Sequence, residues 1–207
     1  MARRLDYYFS MASPWAYIGH ATFMDMVHRH GVAVGYKPVA LSNVFAETGG
    51  LPLAKRHPVR QRYRLFELQR WREKRKLRFT IHPKFWPFDV NLADRFVVAT
   101  AAGGHDPDRF LRAAFSAIWE EERNLGDEAT MMAIAEEAGL PAAELMEAAH
   151  RDATSDIYEQ NFLDAVGADA FGSPCYVLEG EVFWGQDRLD LLDDALTSGR
   201  PPYRSDV

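Results

Sequence analysis

Strand-forming sequence is confined to the two ends of this 207-residue chain. Residues 5–10 are an aromatic-rich run, and residues 32–39 alternate well enough for a second strand. Far downstream, Cys175-Tyr176-Val177-Leu178 and Val182-Phe183-Trp184 flank Glu179-Gly180-Glu181 and read as a hairpin. Between these ends the apolar period is mostly helical. The order is therefore βαβ, a long all-helical block, then ββα. A single sheet-containing domain cut in its middle by a helical insertion has this order.

The first helix is predicted from Pro14 to about His30, with Tyr17, Ile18, Ala21, Met24 and Val27 at helical spacing and Gly31 as its stop. Its length suits a crossover between parallel strands. Residues 45–58 read as a loop around Gly49-Gly50-Leu51-Pro52, and helix resumes over 59–76. Beyond the aromatic and proline-rich loop 82–88, helices are predicted at 91–102, 106–121, 127–138, 142–149 and 152–166, with a last one at 187–197. The tail 199–202 reads as irregular and prone to fray. The expected class is α/β, with a sheet-containing part at 1–44 and 167–207 and a helical insertion at 45–166.

Hydrophobic content of 47% and charged content of 26% are ordinary for a globular protein that buries a sizeable core. A net charge of −6 argues against a nucleic-acid partner. The basic run from Arg70 to Arg78 is interleaved with Glu67 and Glu73 and reads as a solvated helix face. No segment approaches the roughly 18 apolar residues of a membrane span. The N-terminal Met-Ala-Arg-Arg-Leu-Asp lacks the apolar stretch of a signal peptide. One cysteine excludes an intrachain disulfide. The expected compartment is cytoplasmic, where small thiols abound.

The turn Ser10-Met11-Ala12-Ser13-Pro14-Trp15-Ala16-Tyr17 carries the first chemical signal. At such a strand-to-helix turn a thioredoxin-like redox protein has Cys-x-x-Cys. Here Ser13 and Ala16 occupy the sulfur positions, so the turn cannot shuttle disulfides. Pro14 suits the first helical position and Ser13 the N-cap. Free N–H groups and the helix dipole stabilise an anion there, and a serine hydroxyl can donate to a thiolate brought from outside. A plain cap is the competing reading.

Two further turns bracket the same region. Phe171-Gly172-Ser173-Pro174-Cys175 places a proline at a strand entry, where a cis bond would expose the Ser173 backbone to an extended peptide; a trans proline that merely starts the strand is the alternative. Trp184-Gly185-Gln186-Asp187-Arg188-Leu189 opens the last helix, where the Gln186 and Asp187 amides could hold a carboxylate and the Asp187 side chain an ammonium group. Asp187 could equally be a simple cap. Cys175 reads as a buried small hydrophobe. The seven histidines show no metal-ligand spacing. Trp15, Phe85, Trp86, Phe88 and Trp119 are candidates for an apolar substrate wall.

Together these three turns, with the segment Tyr63-Arg64-Leu65-Phe66-Glu67-Leu68-Gln69-Arg70-Trp71, resemble the 2-hydroxychromene-2-carboxylate isomerases. Those enzymes are related to kappa-class glutathione transferases and, more distantly, to DsbA. The resemblance implies a thioredoxin-like domain with a helical insertion, usually a homodimer, that takes glutathione as its cofactor. It implies that Ser13 hydrogen-bonds the glutathione sulfur, that Ser173 before Pro174 pairs with the cysteinyl backbone, and that Gln186 and Asp187 hold the γ-glutamyl end. Where related sequences often place an asparagine before a Lys-Pro or similar pair, this chain has Gly49-Gly50-Leu51-Pro52. Either a side-chain contact is lost there or the Gly50 backbone amide replaces it, with Lys55 or Arg56 near for the glycyl carboxylate. The implied activity is isomerisation of 2-hydroxychromene-2-carboxylate to trans-o-hydroxybenzylidenepyruvate. A kappa-like transferase and a non-catalytic glutathione-binding module are the alternatives.

Overall fold

In the computed structural model, which describes residues 3–206, strand β1 (Arg4–Phe9) is the spine of a four-stranded sheet. Helix α1 (Pro14–His30) carries the chain over to β2 (Ala33–Pro38), which pairs with β1 in parallel. Strands β3 (Cys175–Leu178) and β4 (Glu181–Trp184) return antiparallel on the other side, giving the order β2-β1-β3-β4. Glu179 (φ 54°) and Gly180 (φ 89°) both take positive φ, as the tightest hairpin turns require.

The sheet is covered on both faces because β1 is apolar on both. Leu5, Tyr7 and Phe9 enter the main core with α1, while Tyr8 packs on Val39, Val44, Ala165 and Cys175 in a smaller cluster. Between β2 and β3 lie α2 (Leu41–Thr48), α3 (Pro58–Arg75), α4 (Asn91–Ala102), α5 (Pro107–Trp119), α6 (Glu128–Glu137), α7 (Ala142–His150) and α8 (Asp152–Gly167). Phe96, Phe110 and Trp119 of this helical stretch belong to the same main core as the sheet. Helix α9 (Leu189–Ser198) closes the fold against α1. No helix among the described residues is long and apolar enough to cross a membrane.

Local signals account for most helix ends. Ser13, Asp106 and Asp127 cap their helices through side-chain oxygens, and Pro14, Pro58 and Pro107 occupy first positions. Three elements differ from the expectation. Helix α2 was not expected and takes the first residues, 45–48, of the predicted loop; it has no side-chain cap and buries only Val44, and its packing against α8 supplies what its sequence lacks. Residues 186–188 form a 3-10 turn, so α9 starts two residues late. The tail is irregular but held: the Arg200 guanidinium pairs with both Glu181 oxygens at 2.7 and 2.8 Å, and the Tyr203 amide donates to Glu181 at 2.9 Å.

Candidate functional site

The C-terminal end of β1, the N-terminus of α1 and the segments after β2, before β3 and after β4 enclose a cavity of about 810 Å³. That is toward the upper end of the range for small-molecule sites. Ser13 stands in its wall, 6% exposed. The Ser13 Oγ accepts from the Ala16 amide at 3.3 Å and donates its own proton to the Ser173 carbonyl at 3.1 Å. The Ser173 Oγ accepts from the Ser10 amide at 3.0 Å, so the two turns interlock through two hydrogen bonds.

The peptide bond between Ser173 and Pro174 is cis, one of the two arrangements the sequence left open. The Pro174 carbonyl accepts from the Gly185 amide at 2.9 Å, which ties in the third turn. Gly185 sits at φ 98°, a conformation that glycine alone adopts without strain. Gly172 is required for a different reason: a Cβ there would lie 2.3 Å from Trp184 Nε1. Likewise a Cβ on Gly19 would lie 2.5 Å from the Gln186 Cβ, so α1 can approach the third turn only at glycine. Gln186 is 2% exposed, and its Oε1 accepts from Arg75 at 3.4 Å. Asp187 is exposed and its carboxylate accepts from Arg188 at 2.6 Å. Both line the cavity, but from the 3-10 turn ahead of α9 rather than from the helix itself.

Four of the expected wall and contact positions lie elsewhere, and a fifth lies behind the wall. Trp15 and Trp86 do line the cavity, and Trp86 Nε1 donates to the Ala12 carbonyl at 2.9 Å. Trp119 does not: it is wholly buried among Tyr17, Phe79 and Trp86. Phe85 borders a separate shallow depression with Arg123 and Asn124, and Phe88 packs toward Gly126. Gly50 is off the wall because the Phe45 ring lies across it, 2.3 Å from where a Cβ would sit. Pro174 is buried behind Ser173. Cys175 is fully buried in the smaller core cluster, and burial pushes its thiol up to about 12. A thiol reagent is expected to leave Cys175 unmodified in the native protein and to titrate it fully in denaturant; fast native labelling would contradict its burial.

Residues of the family-like segment Tyr63–Trp71, to which the sequence assigned no individual role, complete the wall together with Arg56. Arg64, Glu67 and Trp71 face the cavity from α3, spaced i, i+3 and i+7. That period was readable, but nothing in the chain says which face of a charged helix meets a cavity. The Arg64 guanidinium lies 5.3 Å over the Trp86 ring. Arg56 lies over Phe45 and donates to the Leu51 carbonyl at 2.7 Å. Among the described residues, neither has a carboxylate within ion-pair distance. Burial, helped by Arg56, lowers the Arg64 pKa to about 10. Two acids of the wall are paired, Glu67 with Arg70 and Asp187 with Arg188, while Asp89 accepts only from the Asn91 amide. Arg56 and Arg64 therefore face the cavity without an ion-pair partner, in a wall that also holds the unpaired carboxylate of Asp89.

This sheet order, the cap-bearing turn and the cis-proline turn beside it define a thioredoxin-like protein of the DsbA type without its cysteines. The family model for the DSBA-like thioredoxin domain matches residues 4–197, and the chain belongs to that family. Among curated proteins it is 27% identical to a 2-hydroxychromene-2-carboxylate isomerase of Sphingobium xenophagum, over 95% of this chain and 99% of that one. It is 25% identical to glutathione S-transferase kappa 1 of Caenorhabditis elegans, over 96% and 92% of the two chains. Among solved structures it matches a 2-hydroxychromene-2-carboxylate isomerase with a TM-score of 0.82 at 21% identity, covering 94% of this chain and 95% of that one.

Proposed function

We propose that this protein is a glutathione-dependent isomerase that interconverts 2-hydroxychromene-2-carboxylate and trans-o-hydroxybenzylidenepyruvate. The observation that carries the reading is a hydroxyl in place of a thiol at the N-terminus of α1, inside a cavity with two unpaired arginines. The donor set fits a thiol tripeptide: a hydroxyl and helix amides for the sulfur, the Ser173 backbone beside it, and Asp187 at the far turn. Glutathione, when bound, supplies the nucleophilic sulfur, whose reversible addition to the conjugated chain turns a double bond into one that can rotate.

The residues of this chain do the rest. The Ser13 hydroxyl has one proton, which in the structure goes to the Ser173 carbonyl. Holding a thiolate means turning that proton to the sulfur, which lowers the thiol pKa and raises its reactive fraction. Beyond the γ-glutamyl carboxylate, which falls to the amides of the Gln186-Asp187 turn, two carboxylates need partners, the glycyl one of glutathione and that of the substrate, and the cavity offers two guanidiniums without an ion-pair partner. We assign Arg56 to the first and Arg64, which lies on the Trp86 ring, to the second. Trp15, Trp71 and Trp86 then flank the aromatic ring. A homodimer in the cytoplasm is part of the same proposal.

The test is conversion of hydroxychromene carboxylate by the purified protein with glutathione, followed by absorbance, with total glutathione unchanged at the end. No conversion where a reference isomerase works in the same cuvette sinks the substrate assignment. Consumption of glutathione favours the transferase reading, which the kappa-class relative supports. Arg64→Leu is expected to lower kcat/KM roughly 10–100-fold, the value of one hydrogen bond to a charged group. An unchanged kcat/KM would remove Arg64 from substrate binding.

A further inference from the structure

Asp94, in the first turn of α4, has no part in holding a thiol, yet it is wholly buried directly behind the site. Its Oδ1 accepts from the Met11 amide at 3.0 Å, in the turn that carries Ser13. Its Oδ2 accepts from the Tyr158 hydroxyl of α8 at 2.9 Å. Tyr158 is 7% exposed and lines the cavity; Asp94 reaches the cavity only through it. Among the described residues no cation pairs with Asp94. The other charged groups that act on the pair are Asp89, just before α4, and Arg95, whose Nη1 is given to Ser155. From the turn after β1 comes only the Met11 amide. Burial raises the Asp94 carboxyl to about 8, against the Met11 and Tyr158 hydrogen bonds.

The donors and acceptors admit two arrangements. An ionised Asp94 has only acceptors, so Tyr158 must donate to it and turns lone pairs alone to the cavity. A neutral Asp94 must carry its proton on Oδ2, since Oδ1 is committed to the Met11 amide. It then donates to the Tyr158 oxygen and frees the tyrosine proton for the cavity. We propose that Tyr158 is the proton donor of the cavity and that Asp94 is the positioning residue that sets its polarity and renews its proton.

This inference rests on the isomerase reading for its substrate step. Ring opening breaks the bond between the hemiketal carbon and the ring oxygen, and the electron pair stays on that oxygen. The oxygen takes the Tyr158 proton, and Tyr158 takes that of Asp94. The hemiketal hydroxyl loses its proton to water as the ketone forms, and Asp94 regains one through Tyr158 as the site resets. Neither substrate nor enzyme changes in net protons.

Two variants and two measurements decide it. Tyr158→Phe is expected to lower kcat about 100-fold, the scale of general acid catalysis, with glutathione affinity by calorimetry changed less than about threefold. Wild-type kcat should fall as pH rises through about 8. Asp94→Asn keeps an acceptor for Met11 and a donor for Tyr158 but has no proton to give, so its kcat should be lower and should lack the falling limb near pH 8. A Tyr158→Phe kcat within about threefold of wild type, or a pH limb that survives in Asp94→Asn, overturns the proposal. If the wild type converts no substrate, the isomerase reading fails, and thermal unfolding alone decides the switch. A pKa raised in the folded state means that the fold binds a proton the unfolded chain has released. Stability relative to Asp94→Asn should then decline from about pH 4, the unfolded carboxylate range, to about pH 8. Wild-type stability that falls relative to Asp94→Asn across this range upholds the switch; a difference that does not change with pH, or one that moves in the wild type's favour, overturns it.

Discussion

Trp119→Ala is expected to destabilise the fold by about 3–5 kcal/mol, lowering the thermal midpoint by roughly 6–20 °C for a chain of this size. The indole is fully buried, with ring centroids of Phe79, Trp86 and Tyr17 at 5.4, 6.0 and 6.2 Å. Removing it opens a void that these neighbours, fixed by their own packing, cannot fill. Its backbone also matters locally, since the Trp119 carbonyl accepts from the Thr80 amide at 2.7 Å, but alanine keeps that bond. The effect should therefore appear in denaturant unfolding of the free protein. Trp86→Ala offers the contrast: this indole lines the cavity and is partly exposed, so ligand binding should suffer more and the midpoint less. A Trp119→Ala protein that unfolds near the wild-type midpoint but no longer binds ligand would return Trp119 to the cavity wall.

Ser13→Ala is expected to raise the pKa of a bound thiol by about 1–2 units, the equivalent of one hydrogen bond to a charged group at about 1.5–3 kcal/mol. Thiolate absorbance during a pH titration of the glutathione complex reads this directly. At neutral pH, kcat/KM should drop roughly 10–100-fold with it. The same change removes the α1 cap, so a loss of about 0.5–2 kcal/mol in stability should accompany it. The two effects separate cleanly, because a cap has no bearing on the titration of a bound sulfur. A thiol pKa identical in wild type and variant would leave Ser13 as a cap only and favour the non-catalytic binding module.

How much was legible follows from where the information sits. The β1–turn–α1 unit was readable because its determinants are local: the apolar run, Ser13 as cap, Pro14 at the first position and Gly31 at the end. Helix α4 was readable at both ends from its period. Helix α2 was not, since it lacks a cap and depends on α8 more than a hundred residues away. Trp119 was rightly placed in a helical segment, but helical period cannot tell a face turned to a cavity from one turned to the core. Gln186 was expected to offer its amide; its side chain proved buried against Gly19 and held by Arg75 of α3. Asp94 carried no signal at all, because a single acid in an amphipathic helix is ordinarily solvated.

The sequence by itself determined that this chain builds the strand-to-helix turn of a thioredoxin-like fold without its cysteines, for the residues that shape such a turn are contiguous and act on their own backbone. It also determined the strand order in time, two at the start and two at the end; the pairing of β1 with β3 that joins them into one sheet is tertiary. Only the tertiary structure decided which side chains share the cavity. Ser13 meets Ser173 across 160 residues, Arg64 comes to rest on Trp86, and Asp94 reaches both Met11 and Tyr158. Such meetings depend on how helices settle against one another once the apolar surface is buried, and that packing has no local code.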